Sequence, residues 1–389
     1  MSGGVMAFIA PVALMGLSSL GPSGKTVWHN FVQLRRTNGA LQWTLTRGRA
    51  KATFSAIVNR DWPNAVVNMQ DQVTGSRKAR AAGKAHEVNV DLIAVVVAVT
   101  DQGPGVLTIG HTDALPSGPF EHGHRSLQSG LRAWVEHQTG HPLGYIEQLY
   151  TFADRDRIGD EREQRVISIS YLALTREEHA NSSRRRWRSW YDYFPWEDRR
   201  FGTPPIIPEI LQPRLLAWTN EADTLAVRRE RRQRAAIAFG LEGRDWNEEL
   251  TLQRYELLYE AALVEEATRG RDANSSPPAS GAAMIADHRR ILATGIARLR
   301  SKIKYRPVVF ELMPPVFTLL QLQRTVEALA GRLVHKQNFR RLIEQQDLVE
   351  ETGETTGDTG GRPAKLFRFR HAVLDERAAA GTKLPLVRG

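Results

Sequence analysis

The chain has 389 residues, enough for two or three domains, and its 41% hydrophobic and 25% charged content is that of a folded protein. It holds no cysteine, which excludes disulfide scaffolds, thiolate metal sites and a cysteine nucleophile. The formal charge of +10 points to an anionic partner, and it is unevenly spread: +9 over residues 1–86, −7 over 87–281 and +8 over 282–389. An acidic middle followed by a basic C-terminal block is the pattern of a separate nucleic-acid-binding module.

In chain order, Val5–Leu20 is apolar but broken by Pro11 and Gly16, and it is too short to span a bilayer. Met1–Gly4 lacks the basic start of a signal peptide. No sustained period of 2 or 3.6 runs through Gly21–His86, and Ser76–Lys84 is basic and rich in Ala and Gly. Residues 1–86 therefore read as a disordered extension, with a DNA-contacting arm as the sharper alternative. No later segment reads as a membrane helix, so a soluble, cytoplasmic protein without membrane partners is expected.

Val88–Thr100 is a β-branched run, and Val106–Gly110 follows a Gly-Pro-Gly turn, predicting two strands. Leu127, Leu131, Trp134, Val135 and Gln138 recur at helical spacing, and Gly140 ends the helix. Tyr145–Phe152 and Val166–Leu174 read as strands. Arg184–Phe201 interleaves aromatic residues with Arg, either to stack on a nucleotide ring or to form an aromatic mini-core under a loop. Glu221–Phe239 and Trp246–Thr268 read as helices of a spacer, and Arg271–Gly281 as a Pro/Ser linker. Ile285–Tyr305, Phe317–Leu329 and Lys336–Gln346 read as three more helices, the middle one opened by a Thr318/Gln321 capping box. Leu348–Val349 and Leu366–Phe369 are the arms of a hairpin. Helix, helix–turn–helix, hairpin is the order of a winged helix.

The strand–helix–strand order of Val88–Leu174, with Gln138-Thr-Gly140 at the helix exit, resembles the Nudix family. That family's box places several carboxylates on one helix face to hold Mg²⁺ against a diphosphate. Anchored on Gly140, the box puts Ala133 and Trp134 at its Arg-Glu pair, His137 and Gln138 at its paired glutamates and Arg125 at the earlier Glu. Its first Gly falls one place off, at Gly118, and Glu136 sits at a variable position. The resemblance implies the fold without hydrolysis, with no metal and no cofactor.

Gly144–Phe152 with Ser168–Leu174 resembles the NrtR-type Nudix-related regulators of NAD biosynthesis. Trp187–Asp198 and Lys304–Pro314 narrow this to their NadQ-type relatives. Phe317–Gln323, Asn338–Arg341 and Gly361–Ala364 are similar to the regulators' DNA-binding domain. The resemblance covers about residues 88–375. It implies an α+β protein: a Nudix-like α/β/α ligand-sensing sandwich over residues 87–210, a helical spacer and linker over 211–281, a winged helix-turn-helix over 282–375 and a tail over 376–389. It also implies repression of NAD-synthesis genes by a homodimer on operator DNA. The effector implied is a small nucleotide: ADP-ribose, NAD or an ATP-like molecule. An active Nudix hydrolase with an accessory DNA-binding domain is the alternative.

For DNA, the second helix of the helix–turn–helix offers Lys336, Gln337, Asn338, Arg340 and Arg341, residue types that pair with base edges and phosphates. Phe339, Leu342 and Ile343 should face inward, against Leu322 and Val326. The hairpin tip offers Arg362 and Lys365, and Arg298, Arg300, Lys302 and Lys304 form a basic stripe for phosphates or solvent. For the nucleotide, Tyr150, Phe152, Trp187 and Trp190 are the candidate aromatic contacts, with Arg155 or Arg157 as diphosphate clamps.

Overall fold

The computed structural model describes residues 88–100, 102–110, 113–154, 165–176, 186–269, 280–357, 363–370 and 372, and the backbone alone of 31–37, 40–47 and 50–57. Two compact units divide the chain, 1–83 and 84–389.

In the first unit, β1 (Phe31–Thr37), β2 (Ala40–Arg47) and β3 (Ala50–Ile57) form an antiparallel meander. The register aligns Leu34, Trp43 and Phe54 across the three strands. This corrects, over 31–57, the reading of an extension without regular elements. The signal is short but present: Leu41, Trp43 and Leu45 alternate, and Asn38-Gly39 is the dipeptide favoured in two-residue hairpin turns. The apolar run 5–20 and the basic run 76–84 lie outside the described residues.

The second unit is built on a six-stranded sheet. β4 (Val88–Thr100) pairs in parallel with β8 (Arg165–Leu174) and antiparallel with β5 (Gly103–Thr108) and the short β6 (Ser117–Pro119). β7 (Tyr145–Phe152) lies on the outer side of β8, and β9 (Arg186–Ser189) on the outer side of β5, giving the order β7-β8-β4-β5-β9. Leu92–Ala98 are all buried because both faces of β4 are covered. On one face, Leu92, Ala94 and Val96 pack against Leu131 and Val135 of α1 (Leu127–Thr139). A Ser126/Ser129 capping box opens α1 and Gly140, at φ 66°, closes it.

On the other face, Ile93, Val95 and Val97 share a core with Ile291, Leu292, Ile296 and Leu299 of α6 (His288–Lys302). The glycine in mid-helix has a reason, since a Cβ at Gly295 would lie 2.9 Å from Val95 Cγ1. α6 is thus the second helical layer of the sandwich and not the first helix of the winged domain, which corrects the expected boundary at 282. An apolar stripe of period 3.6 does not say which surface it covers.

The intervening segments join that same core. Trp190 and Tyr193 of α2 (Trp190–Tyr193), with Phe194 and Trp196, are fully buried, so the aromatic segment is the mini-core. α3 (Gln212–Asn220), α4 (Leu225–Phe239) and α5 (Thr251–Glu260) add Leu215, Phe239, Tyr255 and Leu258, so the expected spacer is packed structure. Residues 270–279 of the expected linker lie outside the described residues, whereas Ser280 is buried and donates to the Leu263 carbonyl at 2.7 Å. The winged helix comprises α7 (Leu319–Ala330), α8 (Lys336–Gln345) and the hairpin β10 (Val349–Thr356) and β11 (Ala364–Phe369). It is tied back by a Phe317–Phe367 bridge, and the Thr318/Gln321 capping box forms as expected.

At the junction sits a buried ion cluster. Glu197 is 1% exposed and faces Arg254 of α5 at 2.5 Å and Arg300 of α6, both fully buried. Burial alone would push its carboxyl up, but the two guanidiniums outweigh it and hold the group below the usual carboxylate range. Arg254 also donates to the carbonyls of Ala238 and Asn247 at 2.8 and 2.9 Å. Arg300 Nε donates to Leu329 O at 2.9 Å, and the Tyr191 hydroxyl to Ala328 O at 2.6 Å. Both carbonyls belong to the last turn of α7, which has no intrahelical donors for them.

Removing one partner of a buried cluster leaves the rest uncompensated, so Glu197→Gln should cost about 3–5 kcal/mol in urea unfolding. A loss below about 1 kcal/mol would mean that water reaches the cluster. His288 gives a second test. It is buried, its Nδ1 accepts from the Leu115 N–H at 2.9 Å, and burial, aided by the Arg269 charge, pushes its pKa from 6.5 to about 4. The unfolded chain then binds a proton that the folded one refuses as pH falls from about 6.5 to about 4. Stability should fall through that window by an amount on the order of 3 kcal/mol, and His288→Asn should flatten the profile.

Candidate nucleic-acid interface and ligand cavity

α8 has no buried residue, and its Phe339 and Ile343 pack partly onto the core while the opposite face is open. Lys336, Gln337, Asn338, Arg340 and Arg341 are exposed, and among the described residues none of them is held by a hydrogen bond or ion pair. Leu342 departs from expectation. It is 49% exposed, because Phe339 and Ile343, four residues apart, already define the inward stripe and Leu342 falls at its edge. The turn before α8 is fixed by Glu327 Oε1, which accepts from Gln323 Nε2 at 2.9 Å and from the Val334 N–H at 3.0 Å. Gly331 closes α7 at φ 70°, and a Cβ there would meet Glu197 O at 2.3 Å. Its own carbonyl accepts from the Arg199 N–H at 2.7 Å. α8 therefore hangs from a turn docked against the aromatic segment.

In the wing, Lys365 is exposed but pairs with Glu351 at 2.8 Å, and Arg362 lies outside the described residues. An exposed pair of this kind is weak enough to yield to a phosphate. The basic stripe of α6 is corrected. Arg300 is buried, Lys302 pairs with Glu147, and Lys304 pairs with Glu248 and Glu249 at 2.9 and 2.6 Å, so only Arg298 stays exposed without an acidic partner among the described residues. Carboxylates distant in sequence neutralise the stripe, which is why it reads as free in one dimension.

The expected nucleotide contacts are not brought together. Tyr150 and Phe152 lie on β7 and Trp187 on β9, at opposite edges of the sheet, four strand spacings or roughly 19 Å apart. Phe152 is buried under the Arg290 guanidinium, 4.8 Å from its ring, and Tyr150 is 59% exposed. Trp190 is buried in the core, and Trp187 packs edge-on to His141. Arg155 and Arg157 lie outside the described residues, and Asp154, one expected partner of Arg157, instead pairs with Arg290 at 2.6 Å.

A cavity of about 620 Å³, open to solvent, lies instead where the start of β7 meets the C-terminal end of α6, with Gln128 of α1 also on its wall. Tyr145, Glu147, Arg298, Lys302, Tyr305 and Arg306 line it. Tyr145 donates to Glu147 Oε2 at 2.6 Å, and Lys302 reaches both groups. Tyr145, Tyr305 and Arg306 went unread at the sequence level, because nothing local ties a strand start to a helix end some 155 residues away.

The positions of the Nudix box carry other work. Trp134 Nε1 donates to Pro119 O at 2.9 Å, and its ring lies over Gly118, edge-on to His124 and His137. Gln138 exchanges hydrogen bonds of 3.1 and 2.7 Å with the Ser117 backbone, pinning β6. Among the described residues no cluster of three acidic, His or Cys side chains is placed to hold a metal ion. This donor set does not fit a hard divalent cation.

Residues 309–369 match the family model of the NrtR DNA-binding winged helix domain. The C-terminal segment carries that domain. A repressor of Acinetobacter baylyi named "ADPR responsive transcriptional repressor NtrR" is 41% identical over 83 residues, 21% of this chain and 33% of the relative. The matched stretch thus spans about a third of that relative's length. Among solved structures, Shewanella oneidensis NrtR complexed with a 27mer DNA is 20% identical, covering 74% of this chain and 95% of that one, with a TM-score of 0.44. A MutT/nudix family protein of Enterococcus faecalis is 15% identical, covering 75% and 90%, with a TM-score of 0.42.

A Cβ at Gly118 would lie 2.3 Å from the Trp134 ring. Gly118→Ala should therefore cost about 1–3 kcal/mol by overpacking and change the tryptophan emission. An unchanged melting temperature and spectrum would show that the ring does not rest there.

Proposed function

We propose that the protein is a DNA-binding transcriptional repressor that controls NAD-biosynthesis genes and responds to an adenine nucleotide such as ADP-ribose. The observation that carries this reading is α8, where Lys336, Gln337, Asn338, Arg340 and Arg341 stand exposed and uncommitted on a winged helix of the matched family. Asn and Gln suit adenine and Arg suits guanine in the major groove, so the helix has the chemistry of sequence readout. One short helix reads few bases, and a homodimer on an inverted repeat would double the address. Support for the effector is the name of the Acinetobacter relative, which describes a response to ADPR. Against hydrolysis stand Trp134, His137, Gln138 and Arg125 at the positions where the Nudix box places metal-binding carboxylates. No helix among the described residues is long and apolar enough to cross a membrane.

The test is a gel shift on duplexes from upstream of NAD-synthesis genes, with and without ADP-ribose, beside a turnover assay with Mg²⁺. A specific shift altered by ADP-ribose, without turnover, is expected. Chelator-sensitive hydrolysis of ADP-ribose would instead support the hydrolase alternative. Asn338→Ala should weaken operator binding by about 1–3 kcal/mol and relax preference at particular base pairs, leaving scrambled DNA nearly unaffected. Equal losses on both duplexes would remove α8 as the reader.

A further inference from the structure

The cavity between β7 and α6 has a composition of its own. Arg298, Lys302 and Arg306 set three cations against one carboxylate, Glu147, leaving a net +2 in the lining. Lys302 is engaged by Glu147 and Tyr145, which locks the cavity floor. Arg298 and Arg306 hold no carboxylate or carbonyl among the described residues. Two free guanidiniums beside a fixed ammonium suit a diphosphate, because the planar fork of each takes two phosphate oxygens. Tyr305 stands at the rim, 76% exposed, with its backbone held by a Tyr305 N–H to Lys302 O bond of 3.0 Å. An exposed aromatic ring on a fixed backbone is a platform for a base. The volume of about 620 Å³ is that of a small-molecule site.

We propose that this cavity is the effector site, taking a nucleoside diphosphate derivative with its diphosphate on Arg298 and Arg306 and its ring on Tyr305. The proposal rests on the reading of the protein as a nucleotide-responsive repressor. DNA is disfavoured as the occupant by geometry. Residues 298 and 302 share one side of α6, whereas Arg300 is two positions from each and points roughly 200° away, toward Glu197 and the end of α7. The cavity thus opens on the side of α6 opposite to the one that meets the winged domain. The same geometry gives a route for the response, since a ligand that draws on Arg298 acts on the helix whose Arg300 holds the last turn of α7.

The experiment is isothermal titration of the full chain with ADP-ribose and with inorganic diphosphate, using the parent, Arg298→Ala/Arg306→Ala and Tyr305→Ala. All three side chains are exposed, and thermal melts would confirm that the variants fold. The parent should bind ADP-ribose tightly and diphosphate more weakly. The double variant should lose at least ~10-fold for both, and Tyr305→Ala should lose affinity for ADP-ribose alone, as base stacking is worth about a factor of ten. If the double variant binds ADP-ribose as the parent does, the site is elsewhere and the effector reading survives. If the parent binds neither probe, the site and the effector both fall, while operator binding is judged separately by gel shift. If the double variant loses only affinity for scrambled DNA, the two arginines are backbone contacts and the proposal is overturned.

Discussion

One carboxylate between two guanidiniums holds the second unit together. Glu197 comes from the aromatic segment after the sheet, Arg254 from α5 and Arg300 from α6, and the three are sealed from water. Stripping three charges of their hydration is expensive, and only complete pairing makes the arrangement tolerable. The spare donors are used: Arg254 takes the carbonyls of Ala238, in the last turn of α4, and of Asn247, in the loop before α5, and Arg300 takes Leu329 O. Apolar residues of equal volume would pack there with less desolvation, but they could not satisfy the carbonyls of Ala238, Asn247 and Leu329 at once. The cluster therefore trades stability for a defined junction.

That junction decides how the sheet and the winged helix are joined. A sensor and a reader joined by a flexible spacer would influence each other only through effective concentration. Here α6 packs its apolar side on β4 through the Gly295–Val95 contact and grips the end of α7 through Arg300. Close-packed cores shift in discrete steps, so a change at the sheet must move α6 as a body or not at all. The turn at Gly331, which has no room for a Cβ beside Glu197 O and accepts from the Arg199 N–H, ties the start of α8 to the same junction.

Period and punctuation made much of this legible. β4, α1, β7, β8, α7 and α8 announce themselves by alternation, capping residues and glycines, and their bounds agree within a few residues, whereas the first wing strand, read as Leu348–Val349, runs on to Thr356. Tertiary ownership was illegible. Ile291, Ile296 and Leu299 mark an amphipathic helix, and only the fold shows that it covers the sheet. Trp190 has the chemistry of a base stacker and sits in the core, because an aromatic ring says nothing about whether protein or ligand covers it. β1–β3 were missed because a short alternating signal sits between long flanks that show no regular period.

Charge illustrates the same gap most sharply. The C-terminal block carries +8, a footprint that suggests a broad basic surface. Yet Arg289 is buried with Glu266, Arg290 binds Asp154, Glu256 and Asp287, and Arg300, Lys302 and Lys304 are taken by Glu197, Glu147, Glu248 and Glu249. Most of these acids lie in the acidic middle segment, so the charge asymmetry between segments is largely an internal complementarity that brings them together. Among the described residues of this block, the cations left exposed without an acidic partner are Arg298 and Arg306 at the cavity, Arg324 on α7, and Lys336, Arg340 and Arg341 on α8. Affinity for arbitrary DNA grows with the number of phosphates neutralised, so under the proposed repressor reading a surface so reduced leaves base-edge contacts as the larger share of recognition.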